Sequence, residues 1–336
     1  MKNITFSLLL FSTVTFLGHA RQWSPDILGT PFEQTTVALP HDYTGNPVCT
    51  VVRALSDSCA NRAVLYIHGY NDYFFQREMA DQFLKNGYNF YAVDLRRYGR
   101  SLRPGDKPFD IRDIKVYSAE IDSSLSIIRT SGIREVIILA HSTGGLIASS
   151  YLSNNHPAEV KALILNSPFL DWNLGNKEKF IPAISFLGKI IPDLEIPQGK
   201  STAYAESLMM SAHGEWEFNT EWKHPESLPV SAGWIRAIDN AQRDLRSKEY
   251  PIKVPVLLMM SQHSISGSQW TPGFNQADAV LDVNDILLYG KKLSINVKAM
   301  AFNGGLHDLA LSPCPVRCLF YQKIFNWIDS TLPSSN

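Results

Sequence analysis

The chain has 336 residues, 45% of them hydrophobic, and its formal net charge at pH 7 is −1. This length suffices for one large domain with an insertion, and the near-zero charge gives no electrostatic basis for binding nucleic acid. The sequence contains no internal repeat and no long low-complexity tract, which argues against repeat architectures and disordered tails.

The first twenty residues have the pattern of a secretory signal peptide. Lys2 precedes an apolar stretch over residues 4–17, and small residues follow at positions 18 and 20. The stretch is short for a bilayer span, so we expect cleavage after Ala20, export to the periplasm or the medium, and no stable membrane anchor. A retained anchor is the alternative. No cysteine follows the apolar run, so the sequence does not support a lipid-anchored protein.

Short apolar runs alternate with helical patterns along most of the chain. Runs with strand character cover residues 48–55, 63–67, 90–93, 136–140, 162–165, 254–260 and 295–302. Apolar residues spaced three to four apart indicate helices near 75–83, 114–128, 146–153, 283–292 and 316–330. Short apolar strands separated by helices predict an α/β fold, with a mostly parallel central sheet covered by helices on both faces.

This alternation fails over residues 171–250, which we interpret as a helical cap inserted into a core of residues 21–170 and 251–336. A dense apolar run over residues 180–191 is followed by several tryptophans and phenylalanines. We expect the run at 180–191 to form one wall of the active site, because such caps often line ligand pockets. Bulky apolar walls favour an acyl chain or an aromatic ester over a charged peptide.

Ser142 stands in the sequence Ala140-His141-Ser142-Thr143-Gly144, between a strand-like run and a helical stretch. A strand, a tight turn and a helix around G-x-S-x-G form the nucleophile elbow, which raises a serine above the sheet edge. Small residues are needed two places before and after the serine. Gly144 matches the motif, whereas Ala140 replaces its first glycine. The alternative is an ordinary glycine-rich turn that carries a solvated serine.

A serine nucleophile needs a base and an acid, and in proteins whose serine lies on an elbow of this kind the chain order is Ser, Asp or Glu, then His. His307 follows a strand-like run within a glycine-containing loop, and its imidazole suits the base role near neutral pH. The expected acid after the strand at 254–260 is missing, and the first carboxylate is Asp278. We favour Asp278, because Asp282 reads as a helix N-cap and Asp308 is adjacent to the histidine; both stay open as alternatives.

The backbone amides that would stabilise an oxyanion come from two turns. The strand-like run at 63–67 is followed at once by His68-Gly69-Tyr70. In a fold of this kind an amide of that first loop acts together with the amide after the nucleophile. We therefore expect the N–H groups of Tyr70 and Thr143 to form the oxyanion hole.

Together these motifs resemble those of α/β-hydrolases, and more narrowly the serine aminopeptidase, monoacylglycerol lipase and lysophospholipase-like group. The resemblance covers about residues 40–330 and depends on HGY at 68–70, DLRRYGRS at 94–101, AHSTG at 140–144 and GLHD at 305–308. It implies the α/β-hydrolase fold and an acyl-enzyme on Ser142, with His307 as base, Asp278 as acid and no cofactor or metal.

Four cysteines are consistent with export. Cys49 and Cys59 are ten positions apart, and Cys314 and Cys318 are four apart. In an oxidising compartment we expect the disulfides Cys49–Cys59 and Cys314–Cys318, the second in the loop after the base histidine. Four reduced, buried cysteines are the alternative, and the spacing does not support a zinc site.

The sequence thus predicts an exported serine hydrolase that cleaves carboxylic esters, of a lipid-like type such as monoacylglycerols or lysophospholipids. One alternative is an aminopeptidase of the same group. Another is a catalytically silent binding protein on a hydrolase scaffold. Acyl length, leaving group and oligomeric state are open.

Overall fold

The computed structural model describes residues 21–57 and 60–332; the predicted signal peptide and Cys59 lie outside this part of the chain. The described strands are β1 (Ser24–Pro25), β2 (Glu33–Ala38), β3 (Val48–Ala54), β4 (Arg62–Ile67), β5 (Asn89–Asp94), β6 (Glu135–His141), β7 (Val160–Asn166), β8 (Glu195–Ile196), β9 (Val230–Ser231), β10 (Val256–Ser261) and β11 (Val297–Phe302). The described α-helices are α1 (Arg77–Lys85), α2 (Ser118–Thr130), α3 (Thr143–Asn154), α4 (Ile181–Ile190), α5 (Ala203–Leu208), α6 (Ala232–Arg246), α7 (Val283–Gly290) and α8 (Cys314–Thr331).

Nine of these strands form one sheet in the order β1-β2-β3-β5-β4-β6-β7-β10-β11. The pairs β1–β2, β2–β3 and β3–β5 are antiparallel, and every pair from β5 to β11 is parallel. The predicted mostly parallel sheet is confirmed. Its parallel strands end at one edge, where the loops after β4, β6, β10 and β11 meet.

Alternation along the central strands divides the core into two layers. In β4, Leu65 and Ile67 belong to one apolar cluster, whereas Val64 and Tyr66 belong to the other. Helices α2, α3 and α6 cover the first face, and α1 and α8 cover the second. The prediction of helices on both faces of the sheet is confirmed. Successive side chains of a strand point to opposite faces, and each apolar face must be covered.

Two local predictions differ from the structure. Strand β2 was not predicted, because its sequence EQTTVA is largely polar and only Thr35 is buried. The helix expected from residue 114 begins as a 3₁₀ turn over Ile114–Tyr117 and becomes α-helical in α2. Neither difference affects the prediction of the central sheet, because its strands are short, buried apolar runs that are clear in the sequence.

The insertion between β7 and β10 holds α4, α5, α6 and the antiparallel pair β8–β9. Helix α4 packs closely on α6: a Cβ atom added at Gly188 would lie 2.1 Å from the carbonyl oxygen of Ala232. Helix α6 in turn contributes Ile235 and Ile238 to the core layer that α2 and α3 share. In the described part of the chain, no helix has the length and apolar character that a membrane crossing requires.

The structure corrects the prediction of the Cys314–Cys318 disulfide. Both residues are free thiols at the start of α8 rather than in a loop, and their Sγ atoms are 3.7 Å apart. A helical turn places residues four apart on one face without joining them, whereas a disulfide needs about 2.05 Å between its sulfurs. Cys49 is buried in β3, and its predicted partner Cys59 lies outside the described residues. Its pairing with Cys59 stays a prediction.

Candidate active site

Ser142 lies at a strained turn between β6 and α3. Its backbone has φ 53° and ψ −119°, a left-handed conformation that non-glycine residues rarely adopt. The turn requires glycine two positions later, since a Cβ atom at Gly144 would lie 2.4 Å from the carbonyl oxygen of His68. Ala140, the departure from the motif, is fully buried in β6. The methyl group therefore fits where the motif has a glycine.

Ser142, His307 and Asp278 form a hydrogen-bonded line. The Oγ of Ser142 is 3.0 Å from Nε2 of His307, and Nδ1 of His307 is 2.9 Å from Oδ2 of Asp278. A carboxylate only accepts hydrogen bonds, so Nδ1 carries the proton and Nε2 is left to accept the proton of the serine. All three side chains are buried, with Ser142 the most exposed at 7%. This is the geometry of a serine activated by a histidine base.

Asp278 reaches the histidine although it lies far beyond β10 in sequence. The loop after β10 folds back, so that the amide of Asp278 donates to the carbonyl of His263 and the amide of Ile265 donates to the carbonyl of Asp278, both at 2.8 Å. The amides of Val280 and Leu281 both donate to Oδ1 at 2.8 Å, which leaves Oδ2 for the imidazole. Asp278 is therefore distant from the end of β10 in sequence but close to it in space.

The two alternative acids have other roles. Asp282 is the N-cap of α7, and its carboxylate accepts from the amide of Asn284 at 2.8 Å. Asp308 accepts from the side-chain amide of Asn166 at 2.7 Å and from the amide of Ala310 at 3.0 Å. Both carboxylates are thus occupied by structural hydrogen bonds, as N-caps typically are.

The two residues predicted to supply oxyanion amides line the same cavity as Ser142 and His307. The turn that carries Tyr70 passes close to Ser142: a Cβ atom at Gly69 would be 3.0 Å from Cβ of Ser142. Thr143 is the first residue of α3, so its amide belongs to a helix N-terminus, where N–H groups favour negative charge. This placement suits both amides for stabilising an oxyanion.

Close to His141, the residue before Ser142, lies a buried charged cluster that the sequence analysis did not predict. Nζ of Lys223, from the insertion, is 3.0 Å from Oδ1 of Asp72, and Oδ2 of Asp72 is 3.6 Å from Nδ1 of His141. Burial disfavours charge on His141, but Asp308 and Asp72 outweigh burial and raise its pKa. Burial likewise opposes ionisation of Asp72, yet the charge of Lys223 lowers its pKa well below the usual range.

The cluster has the donor set of a small cation site, but ion pairing accounts for it. One ligand atom each from Asp72, His141 and Asp308 lies within 4.8 Å of the others. The ammonium of Lys223 already pairs with Asp72, and a metal ion beside it would be repelled. The residues therefore fit a proton-linked ion-pair cluster better than a metal site.

The cavity above Ser142 has a volume of about 380 Å³. Its wall is mainly apolar and includes Phe169, Trp172, Leu174, Tyr204, Leu208, Phe218, Trp234, Val280 and Leu281. Uncharged polar side chains line another part, namely Asn71, Asn173, Gln198, Ser201 and Ser227. Among the described residues that line it, there is no carboxylate and no arginine, and Lys223 is the one formal cation besides the histidines.

The prediction that residues 180–191 form one wall of the active site is wrong. Phe186 and Ile190 are each 61% exposed on the outer side of α4, and no residue of this run lines the cavity. The side of α4 that carries Ile181 and Gly188 packs inward instead, onto α6. The insertion does line the site, but with segments on either side of α4. The spacing of apolar residues does not indicate which face of this helix is buried.

Comparison with known proteins identifies the family of this chain. Residues 58–264 match the family model described as serine aminopeptidase, S33. The chain belongs to this family. It is 25% identical to phospholipase YtpA of Bacillus subtilis over 59% of the chain and 74% of that protein. It is 33% identical to the AB hydrolase superfamily protein YisY of the same species, over 32% of the chain and only 37% of YisY.

Solved structures show the same fold. A soluble variant of monoglyceride lipase from Saccharomyces cerevisiae superposes on this hydrolase with a TM-score of 0.64 at 17% identity, covering 96% of this chain and 98% of the other. The monoacylglycerol lipase of Paleococcus ferrophilus gives a TM-score of 0.61 at 17% identity, covering 89% and 99%. The predicted α/β-hydrolase fold is confirmed.

Exchanging each of two nearby aspartates tests the role of Asp278. Asp278→Asn retains the side-chain shape but offers an amide to Nδ1 of His307, so we expect kcat to fall by about 10⁴. Asp282→Asn is the matched control, because asparagine caps a helix almost as well, and we expect kcat within about twofold of wild type. Steady-state kinetics with an activated ester, beside a melting curve for each variant, makes the comparison. A larger loss in Asp282→Asn would transfer the acid role to Asp282.

Proposed function

We propose that this hydrolase cleaves carboxylic esters of uncharged, lipid-like alcohols through an acyl-enzyme on Ser142. One observation carries the proposal: the line Ser142–His307–Asp278, with contacts of 3.0 and 2.9 Å, opens into a mainly apolar cavity. The first part supplies an activated nucleophile. The second supplies a place for an acyl chain.

The reaction follows from the positions of the atoms. Oγ of Ser142 attacks the acyl carbon while Nε2 of His307 takes the serine proton, and Asp278 stabilises the imidazolium that forms. The amides of Tyr70 and Thr143 donate to the oxyanion of the tetrahedral intermediate. Nε2 then returns the proton to the departing alcohol. Water attacks the acyl-enzyme by the same route, and the acid product leaves with Ser142 restored.

The charges at the cavity favour an uncharged leaving group. A free α-ammonium group of an aminopeptidase substrate calls for a carboxylate, and no described residue that lines the cavity supplies one. A phosphate headgroup calls for an unpaired cation, whereas Lys223 is already neutralised by Asp72 at 3.0 Å. Monoacylglycerol-like esters therefore fit the cavity better than lysophospholipids or aminoacyl compounds.

The exposed face of α4 supports a lipid-like substrate. Phe180, Phe186, Ile190 and Ile191 are each more than half exposed, and Leu174 of the same insertion lines the cavity. A group of large exposed apolar side chains within a dozen residues favours contact with another molecule or with lipid. The signal-like residues 1–20 add a proposal of export to the periplasm or the medium.

A substrate panel tests the proposed function. We expect turnover of p-nitrophenyl esters and of monoacylglycerol, with kcat/KM rising about fourfold per methylene from acetyl upward until the pocket is full. Lysophosphatidylcholine and leucyl p-nitroanilide should be at least tenfold poorer than the neutral ester. Turnover of the arylamide without any ester hydrolysis would make this an aminopeptidase. A complete lack of turnover on all four classes would favour a binding protein.

Substitution of two exposed apolar residues of the insertion tests which part of it forms the wall of the cavity. Leu174 lines the cavity and Phe186 does not, although both are well exposed. Leu174→Ala should lower the preference for octanoyl over butanoyl ester by about fourfold or more, because it removes apolar contact with the distal chain. Phe186→Ala should leave that preference unchanged. Esters are compared below their micelle-forming concentrations, and equal profiles for both variants would contradict this assignment of the wall.

A further inference from the structure

The loop that follows β4 is bonded to the insertion at three consecutive residues. The contacts are Asn71 with the backbone amide and carbonyl of His224, both at 2.8 Å, Asp72 with Nζ of Lys223 at 3.0 Å, and the Tyr73 hydroxyl with the amide of Asn219 at 2.8 Å. Four hydrogen bonds thus fix a short loop to one short segment of the insertion, residues 219–224.

The central contact of this set is buried. The residue Lys223 is 7% exposed and Asp72 is 1% exposed, and the ammonium lies 5.9 Å from the rings of Phe75 and of Phe218. A buried ion pair is costly to break, because the remaining charge cannot be hydrated. Asn71 adds a backbone constraint, since its φ of 50° lies in the left-handed region. The loop is therefore held in one conformation.

This loop adjoins the reacting groups on two sides. Tyr70, whose amide we assign to the oxyanion, immediately precedes Asn71. On the other side, Oδ2 of Asp72 is 3.6 Å from Nδ1 of His141, the residue before the nucleophile. The ring of His141 lies 4.9 Å from the ring of His307, centroid to centroid. The loop that contacts the insertion is thus joined directly to Tyr70 and lies close to the turn that carries Ser142.

We propose that residues 219–224 of the insertion position the Tyr70 amide for the oxyanion, and that Lys223 is the positioning residue. The inference rests on the proposed function and adds to it a role of the insertion in the chemical step. The Tyr70 N–H lies in the Gly69–Tyr70 peptide plane, and the direction of that plane depends on where the next residues, Asn71 and Asp72, are held. A displacement of about 1 Å can cost on the order of 100-fold in rate.

A positioning role predicts a particular kinetic signature. An oxyanion exists only in the transition state and the tetrahedral intermediate, so a misplaced donor lowers kcat and leaves KM nearly unchanged. A contact that only attaches the insertion to the core would lower the melting temperature and leave kcat unchanged. Affinity for a tetrahedral analogue separates these roles, because such an analogue uses the oxyanion hole and the substrate ground state does not.

The test compares three variants of the full chain. Lys223→Met removes the cation, and Asn71→Gly removes the side-chain bonds while allowing the left-handed backbone. Asp193→Asn is the control: it breaks the Arg112–Asp193 bridge of 2.8 Å, a second link between insertion and core that is away from the cavity. For each, kcat and KM on p-nitrophenyl butyrate, the melting temperature and the inhibition constant of an alkyl trifluoromethyl ketone are measured.

We expect kcat at least tenfold lower in Lys223→Met and Asn71→Gly, KM within about twofold, and the ketone weakened by a similar factor to kcat. The control should match wild type. If Lys223→Met does not fold, Asn71→Gly decides alone. A folded Asn71→Gly with wild-type kcat, or with lower kcat and unchanged ketone affinity, would overturn the inference while wild-type esterase activity left the proposed function standing. An inactive wild-type enzyme would overturn both.

Discussion

The left-handed backbone of Ser142 is the constraint on which the site depends. It directs Oγ out of the sheet edge. Glycine at position 144 lets the start of α3 lie close to the end of β4, because a Cβ atom there would lie 2.4 Å from the carbonyl oxygen of His68 and 2.5 Å from that of Ile67. Strain of this kind costs of order 1–3 kcal/mol, and the buried strands on both sides of β6 hold the turn in place. The position of Ser142 is thus determined by the core of the sheet.

The sequence could predict the central strands and the residues that meet at the candidate site, because both leave local signals. A buried parallel strand is a short apolar run, and the elbow needs small residues at fixed places around Ser142. Chain order then indicated His307. Asp278 leaves no such signal, since the loop that returns it to the end of β10 depends on hydrogen bonds with His263 and Ile265, which no local pattern records.

The remaining features depend on tertiary packing. The apolar run in α4 has two candidate faces, and the packing of Gly188 against α6 decided which one is covered. The Asp72–Lys223 pair joins residues 151 positions apart and carries no motif. Strand β2 is polar because it lies near the sheet edge, so its alternation was weak. Spacing alone did not predict that Cys314 and Cys318 would begin a helix as free thiols.

The insertion contributes to the site in two physically different ways. Its apolar side chains, such as Trp172 and Trp234, give the cavity a wall for a chain-like group. Its segment at residues 219–224 instead supplies polar contacts to the loop behind Tyr70, where small displacements affect the chemistry more than the binding. Substrate range and rate can therefore change independently through different parts of one inserted segment.

The most direct test of the account is to identify the residue that becomes acylated. A fluorophosphonate probe mimics the tetrahedral intermediate and reacts with an activated serine. The account predicts that intact-mass analysis finds one phosphonyl group per chain, that peptide mapping assigns it to Ser142, and that blocking it abolishes ester turnover in proportion to labelling. Full esterase activity after complete labelling, or a label on a different residue, would contradict it.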